Sequence, residues 1–151
     1  MASTPDDVRA ALSPDELDYP TLAQRLGPAS LPHLEQLIAG ADPTLAPKAA
    51  YLVGLIGHPR AAAVLVAAAR SGPATVRVAA AAADCNLPPD PAGTVLAQLV
   101  GDPDAGVRRV ALRSAPARVS PELAAQIRAQ SEREPDADLR ALSGQVLQRP
   151  N

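Results

Sequence analysis

Few side chains in this chain commonly do chemistry near neutral pH: two histidines, His33 and His58, and one cysteine, Cys85. Histidine is the commonest metal ligand and the usual proton carrier at this pH. Here the two lie 25 residues apart, each beside a proline ("LPHLEQ", "GHPRAA"). There is no HExxH, no paired carboxylate–histidine spacing and no Cys/His cluster to hold zinc. Cys85 follows Asp84 in "AAADCNLPPD", at an expected helix end. A reactive thiolate wants a basic neighbour or a helix N-terminus, so a half-buried packing thiol is the expectation. A single cysteine also excludes an intrachain disulfide and a thiolate metal cluster. Nine glycines occur without GxxxxGK[ST] or GxGxxG, and the serines without GxSxG. The pattern therefore predicts no catalytic centre, no metal and no cofactor.

Two arginines stand apart. Arg109 and Arg113 lie four residues apart in "DPDAGVRRVALRSA", on one face of any helix running through that stretch. Such a pair can hold an acidic group. The net charge of -2 argues against the electrostatic attraction that draws proteins to nucleic acid or anionic membranes. Aromatic residues make up 1%, too few for base stacking. The first residues, "MASTPDDVRA", lack a basic and apolar leader pattern, and "AAAVLVAAAR" is too short to span a bilayer. The chain is expected to be soluble and cytoplasmic, with another protein as its partner rather than nucleic acid or membrane.

The elements that must position these residues recur along the chain. A similar phrase appears four times, as "ADPTLAPKAA", "SGPATVRVAA", "GDPDAGVRRV" and "EPDADLRAL". Aligned on Pro43, Pro73, Pro103 and Pro135, the copies are spaced by 30, 30 and 32 residues, and a basic residue (Lys48, Arg77, Arg108, Arg140) follows each. Each phrase leads into an amphipathic run such as "AAYLVGLIG". Between them lies a second helical set, "SLPHLEQLIAG", "HPRAAAVLVAAAR", "DPAGTVLAQLV" and "SPELAAQIRAQS", with apolar residues three and four apart. The unit is helix, turn, helix. A pair of that size cannot bury its own apolar face, but stacked copies can. Prolines open the helices, where their missing N–H costs nothing. Alanine, 33 residues against 34 of Leu, Ile and Val together, with no Phe or Trp, predicts a thin, close-packed all-α core. Residues 1–30, "TPDDVRAAL" and "SPDELDYPTLAQRL", read as two short helices capping an array over 31–151.

At "DPDAGVRRVALRSA" the sequence resembles a HEAT repeat, of the short bacterial kind related to phycobilisome-lyase-type repeats. Asp102, Pro103, Val107, Arg108 and Ala111 match the pattern of an Asp-Pro turn, an apolar residue, an arginine and a small stacking residue. Glu134, Pro135, Leu139 and Arg140 match with an acid change, Asp42, Pro43 and Lys48 more loosely. Pro73, Val76, Arg77 and Ala80 match with Gly72 in the acid's place. The resemblance implies a right-handed α-solenoid of about four helix pairs with an N-terminal cap. It implies a structural ladder in which Asp42 pairs with Lys48, Asp102 with Arg108 and Glu134 with Arg140, while Arg77 reaches an acid in a neighbouring repeat. It also implies a concave face made by the second helices: Ala49, Val53, Val78 and Ala82 as an apolar strip, then Arg109, Arg113 and Gln145. Such a strip suits a partner helix or extended peptide carrying an acid. The function implied is a non-catalytic adaptor, regulator or immunity-type protein. A chromophore lyase and a nucleic-acid binder are the alternatives, neither matched by an acid–base group or a basic excess. Leu139, Leu142, Val146 and Leu147 in the last copy suggest an apolar edge that could form a homodimer.

Overall fold

Ten α-helices, and no strand among the described residues, make up the computed structural model, which describes residues 3–40 and 42–149. Their order is α1 (Pro5–Leu12), α2 (Tyr19–Leu26), α3 (Leu31–Ala39), α4 (Leu45–Ile56), α5 (Ala61–Ser71), α6 (Ala74–Ala83), α7 (Pro89–Leu99), α8 (Ala105–Arg113), α9 (Pro121–Arg133) and α10 (Ala137–Leu147). The fold is all-α.

Local chemistry sets the helix starts. Thr4 and Asp7 exchange side-chain and backbone hydrogen bonds at the start of α1, satisfying two orphan donors. Asp18, Asp104, Ser120 and Asp136 accept backbone N–H groups at the starts of α2, α8, α9 and α10. The second cap helix begins at Tyr19 and not near Pro14, because Asp18 provides the cap and Pro20 fits the first turn. The run "VALRSAPARV" is likewise helical only to Arg113. Ahead of Pro116 the backbone is driven out of the helical region. The carbonyls of Ala115 and Pro116 in this connection accept from Arg149 at 2.8 and 3.3 Å.

The helices pack in two rows. α3, α5, α7 and α9 each touch the next of their set, and α4, α6, α8 and α10 do the same. Each pair α3/α4, α5/α6, α7/α8 and α9/α10 packs face to face, joined across the rows by α4 with α5 and α6 with α7. Val76 on α6 and Val107 on α8 are fully buried in neighbouring helices. The core is leucine with alanine at the crossings: Leu34, Leu52, Leu65, Leu96 and Leu99 fill space, while Ala49, Ala80 and Ala111 admit close backbones. α1 and α2 pack on α4, and α1 also on α3. Tyr19 meets Tyr51 edge to face there, ring centres 4.9 Å apart.

The closest approach lies between α4 and the end of α6. A Cβ on Gly54 would stand 2.7 Å from the Ala83 carbonyl oxygen and 2.8 Å from its Cβ. Gly144, in α10, has no atom within 4 Å of that position. Gly54→Ala should therefore lower the urea-unfolding free energy by about 1–3 kcal/mol through overpacking. Gly144→Ala should raise it by about 0.5–1 kcal/mol, the helix cost of glycine. Equal effects of the two would contradict the packing at Gly54.

Candidate functional site

Two of the aligned basic residues, Arg77 and Arg108, share one geometry. Arg77 donates from Nη1 to the Gly72 carbonyl at 2.9 Å, and from Nε and Nη2 to the Asp102 carboxylate at 2.7 and 3.0 Å. Arg108 repeats this one pair further on. Its Nη1 donates to the carbonyls of Asp102 and Pro103 at 2.8 and 3.1 Å, and its Nε and Nη2 to Glu134 at 2.7 and 2.9 Å. One edge of each guanidinium pins the turn before its own helix, and the fork grips the acid of the following turn. The acids in turn brace their own loops: Asp102 accepts the Asp104 N–H, and Glu134 accepts those of Asp136 and of the Gln130 side chain.

The ladder thus runs between helix pairs, which corrects three expected pairings. Asp102–Arg108 and Glu134–Arg140 are not carboxylate pairs: Arg108 and Arg140 reach only the backbone carbonyls of those acids, Arg140 through Nη1 at 2.7 Å. An arginine six residues after the acid lies beside the turn's backbone, and its fork points onward to the next pair. Asp42–Lys48 fails differently. Lys48 donates to the carbonyls of Leu12 and Pro14 at 3.1 and 2.7 Å, at the end of α1. The onward position holds Gly72, where a Cβ would come within 2.7 Å of the Ala68 oxygen, so no acid fits. Asp42 instead has Arg9 of the cap at 3.9 Å and accepts the Thr44 and Leu45 N–H groups, which hold its carboxyl below the usual range. Arg77 meets the acid of a neighbouring repeat, Asp102.

The Arg108–Glu134 pair is nearly enclosed, its side chains 8% and 2% exposed. Burial alone would raise the Glu134 carboxyl, but the donors Arg108, Asp136 and Gln130 outweigh it and hold it below its ordinary value. The hydrogen bonds from Arg77 to Asp102 likewise raise the Arg77 guanidinium. Removing one member of a buried pair strands the other, which typically costs about 3–5 kcal/mol.

Of the expected apolar strip, Ala49 and Val53 are fully buried and cannot touch a partner. α4 is packed against α1, α2, α3, α5 and α6, and Ala49 and Val53 lie on its core side, in the register of the buried Ala80 on α6 and Asp84 at its end. Val78 and Ala82 on α6 are half-buried, and Arg113 and Gln145 on α8 and α10 are exposed. Arg109 stands 3.7 Å from Asp136, both more than a third exposed. The expected apolar edge of the last pair is also not exposed: Leu139 and Val146 face the core, and Leu142 and Leu147 are half-buried. On the other row, a groove of about 540 Å³ between α3 and α5 runs past Ile38, Val64 and Ala67, with the Glu35–Arg60 pair at its rim.

The histidines do not converge: the His58 Nδ1 accepts the Arg60 N–H at 3.1 Å, whereas the buried His33 Nδ1 has no partner among the described residues. No group of three His, Cys, Asp or Glu side chains is arranged to hold a metal among the described residues. Cys85 is exposed, not half-buried, because it sits in the tight turn after α6 with its side chain outward. The burial of its neighbour Asp84 is not signalled by the sequence. The Asp84 side chain is buried, and neither carboxyl oxygen has a hydrogen-bond partner among the described residues. The only hint is a negative charge at the C-terminal end of an apolar helix, where the helix dipole disfavours an acid.

No family model matches the sequence, and no curated protein matches it.

Burial pushes the Asp84 carboxyl up to about 8. Between the ordinary aspartate value near 3.9 and about 8, the folded chain keeps a proton that the unfolded chain has lost. Rising pH therefore drains stability through that window, at about 1.4 kcal/mol per pH unit, and the loss is complete above it. Asp84→Asn should remove this drain. Urea unfolding at pH 5 to 9 should show the variant gaining on the native chain as pH rises; a gap independent of pH would contradict a protonated Asp84.

Proposed function

We propose that this chain is a short HEAT-like α-solenoid, four helix pairs with an N-terminal cap, and that it works in the cytoplasm as a non-catalytic protein-binding adaptor or regulator. The support for the architecture is the two rows of helices, each touching the next of its own row, and the onward-gripping arginines that link successive turns. The binding face is the even row from α6 through α8 to α10. Three neighbouring helices at about 8–10 Å spacing give a strip roughly 20 Å across. That length matches about four turns of a docked helix.

The observation that carries this reading is the state of the two arginines on α8. Arg113 is exposed and has no acid partner among the described residues. Arg109 shares only a loose, solvent-exposed contact with Asp136, of a kind worth about 0–1 kcal/mol. Both forks can therefore be given to a partner's carboxylates at little cost. Val78 and Ala82, at the equivalent register on α6, supply a half-buried apolar step beside them. The partner that fits is a helix or extended peptide with one apolar edge and a pair of acids.

Arg109→Glu/Arg113→Glu should leave thermal unfolding within a degree or two, because neither side chain is buried. In affinity capture from native lysate quantified by mass spectrometry, proteins enriched by the native chain should fall at least about tenfold with this variant, the effect of losing one charge-assisted contact. Reversal of the exposed Arg128 on α9 serves as the control. Equal recovery by all three baits would overturn the α6–α8–α10 face.

A further inference from the structure

The repeating guanidinium geometry leaves one position open. Arg140 is fixed like Arg77 and Arg108: its Nη1 donates to the carbonyl of the turn acid, Glu134, at 2.7 Å. In the two earlier copies this anchoring turns Nε and Nη2 toward a carboxylate that binds both at 2.7–3.0 Å. For Arg140 no carboxylate among the described residues meets that edge, and the side chain is exposed. Neither Asp136 nor Asp138 in the same turn pairs with it; Asp136 lies toward Arg109. A second feature of α10 points the same way. Gly144 takes the register position of Ala81 and Leu112, which are buried in α6 and α8. Around Gly144 a Cβ would meet nothing within 4 Å. The outer side of α10 thus combines an arginine anchored through Nη1, its Nε and Nη2 without a carboxylate among the described residues, with room for a closely approaching helix.

We propose that Arg140 is a docking rung for a partner polypeptide that presents a carboxylate side chain from the turn preceding a helix. That acid takes on Arg140 the seat that Asp102 takes on Arg77 and Glu134 takes on Arg108. The structure shows the complementary chemistry twice: an acid whose carboxylate accepts both fork donors and, at the same time, a backbone N–H of its own turn. Because the anchoring bond to Glu134 already restrains the guanidinium, Arg140 loses little side-chain freedom when a partner's acid binds. This rung lies on α10 but uses neither Arg109 nor Arg113, and it does not depend on the α8 arginines binding a partner.

The probe is a stapled helical peptide copying residues 132–147 of this chain, which carries Glu134 in its natural turn, measured by calorimetry against the full chain. A matched peptide with Glu134→Gln and the protein variants Arg140→Ala, Arg140→Lys and Arg109→Glu/Arg113→Glu complete the set. The Arg109→Glu/Arg113→Glu protein should melt like the native chain, and Arg140→Ala only about 2–4 °C lower for its one lost bond to the Glu134 carbonyl. Binding should weaken about tenfold on Glu134→Gln in the probe and on Arg140→Ala in the protein, the effect of losing a charge-assisted bond. Lysine should restore it only in part, since it keeps the charge and loses the fork. The Arg109→Glu/Arg113→Glu variant should bind as the native chain does. No binding up to millimolar probe, or equal binding of the Glu and Gln peptides, would overturn the proposal. So would self-association lost on Arg140→Ala in sedimentation analysis, which would assign the seat to a second copy.

Discussion

A guanidinium held between two turns is the constraint on which this structure depends. Arg108 is nearly removed from water, and a charge so placed is tolerable only when each of its nitrogens finds an acceptor and an opposite charge lies beside it. It meets that requirement by spanning a boundary. Two carbonyls of the turn before α8 and both oxygens of Glu134 before α10 share its donors. A shift of one helix pair against the next would strand both ions, so the pair fixes register as well as contact. Apolar burial, which is non-directional, cannot do this alone in a core without Phe or Trp.

Alanine and leucine explain why such a device is needed. Small side chains let α4 and α6 approach until Gly54 lies against Ala83, and they bury little area at each crossing. Surfaces of this kind slide more readily than interlocked aromatics, and the arginine–acid pairs supply the directionality that the core lacks. Where the device is missing, other parts take its place. Gly72 leaves no room for an acid, so Lys48 turns back to the cap and ties α4 to the end of α1. The first two helices are thereby fastened to α4.

Much of this was legible in the residues and some was not. The helix pairs and their order followed from proline positions and apolar spacing, because both act within a few residues. The ladder's members were also legible, but their partners were not. An acid six residues before an arginine looks like its natural mate, and only the three-dimensional placement shows the fork turning 25 or 26 residues onward. Ala49 and Val53 face the core because the buried positions of α4 (Leu45, Ala49, Ala50, Leu52) match Val76, Ala80, Ala81 and Ala83 of α6, a register two residues away from the one that Lys48 and Arg77 suggest. Asp84 was invisible because burial is a property of the neighbours, here the elements packed around the turn after α6. Of the other candidates, Arg113 and Gln145 are exposed and Arg109 is half-buried, on the contacting helices α8 and α10.

The same logic that stacks the pairs frames the binding proposals. Arginines whose forks are used hold the molecule together; those whose forks are free or loosely held are available to others. A double-mutant cycle on Arg108 and Glu134, read by urea unfolding of the two alanine variants and their combination, tests this most directly. The account predicts a coupling energy above about 1.5 kcal/mol, with the double variant less damaged than the sum of the singles, as for residues in one network. Additive losses would contradict it, and would leave the stack held by apolar contact alone.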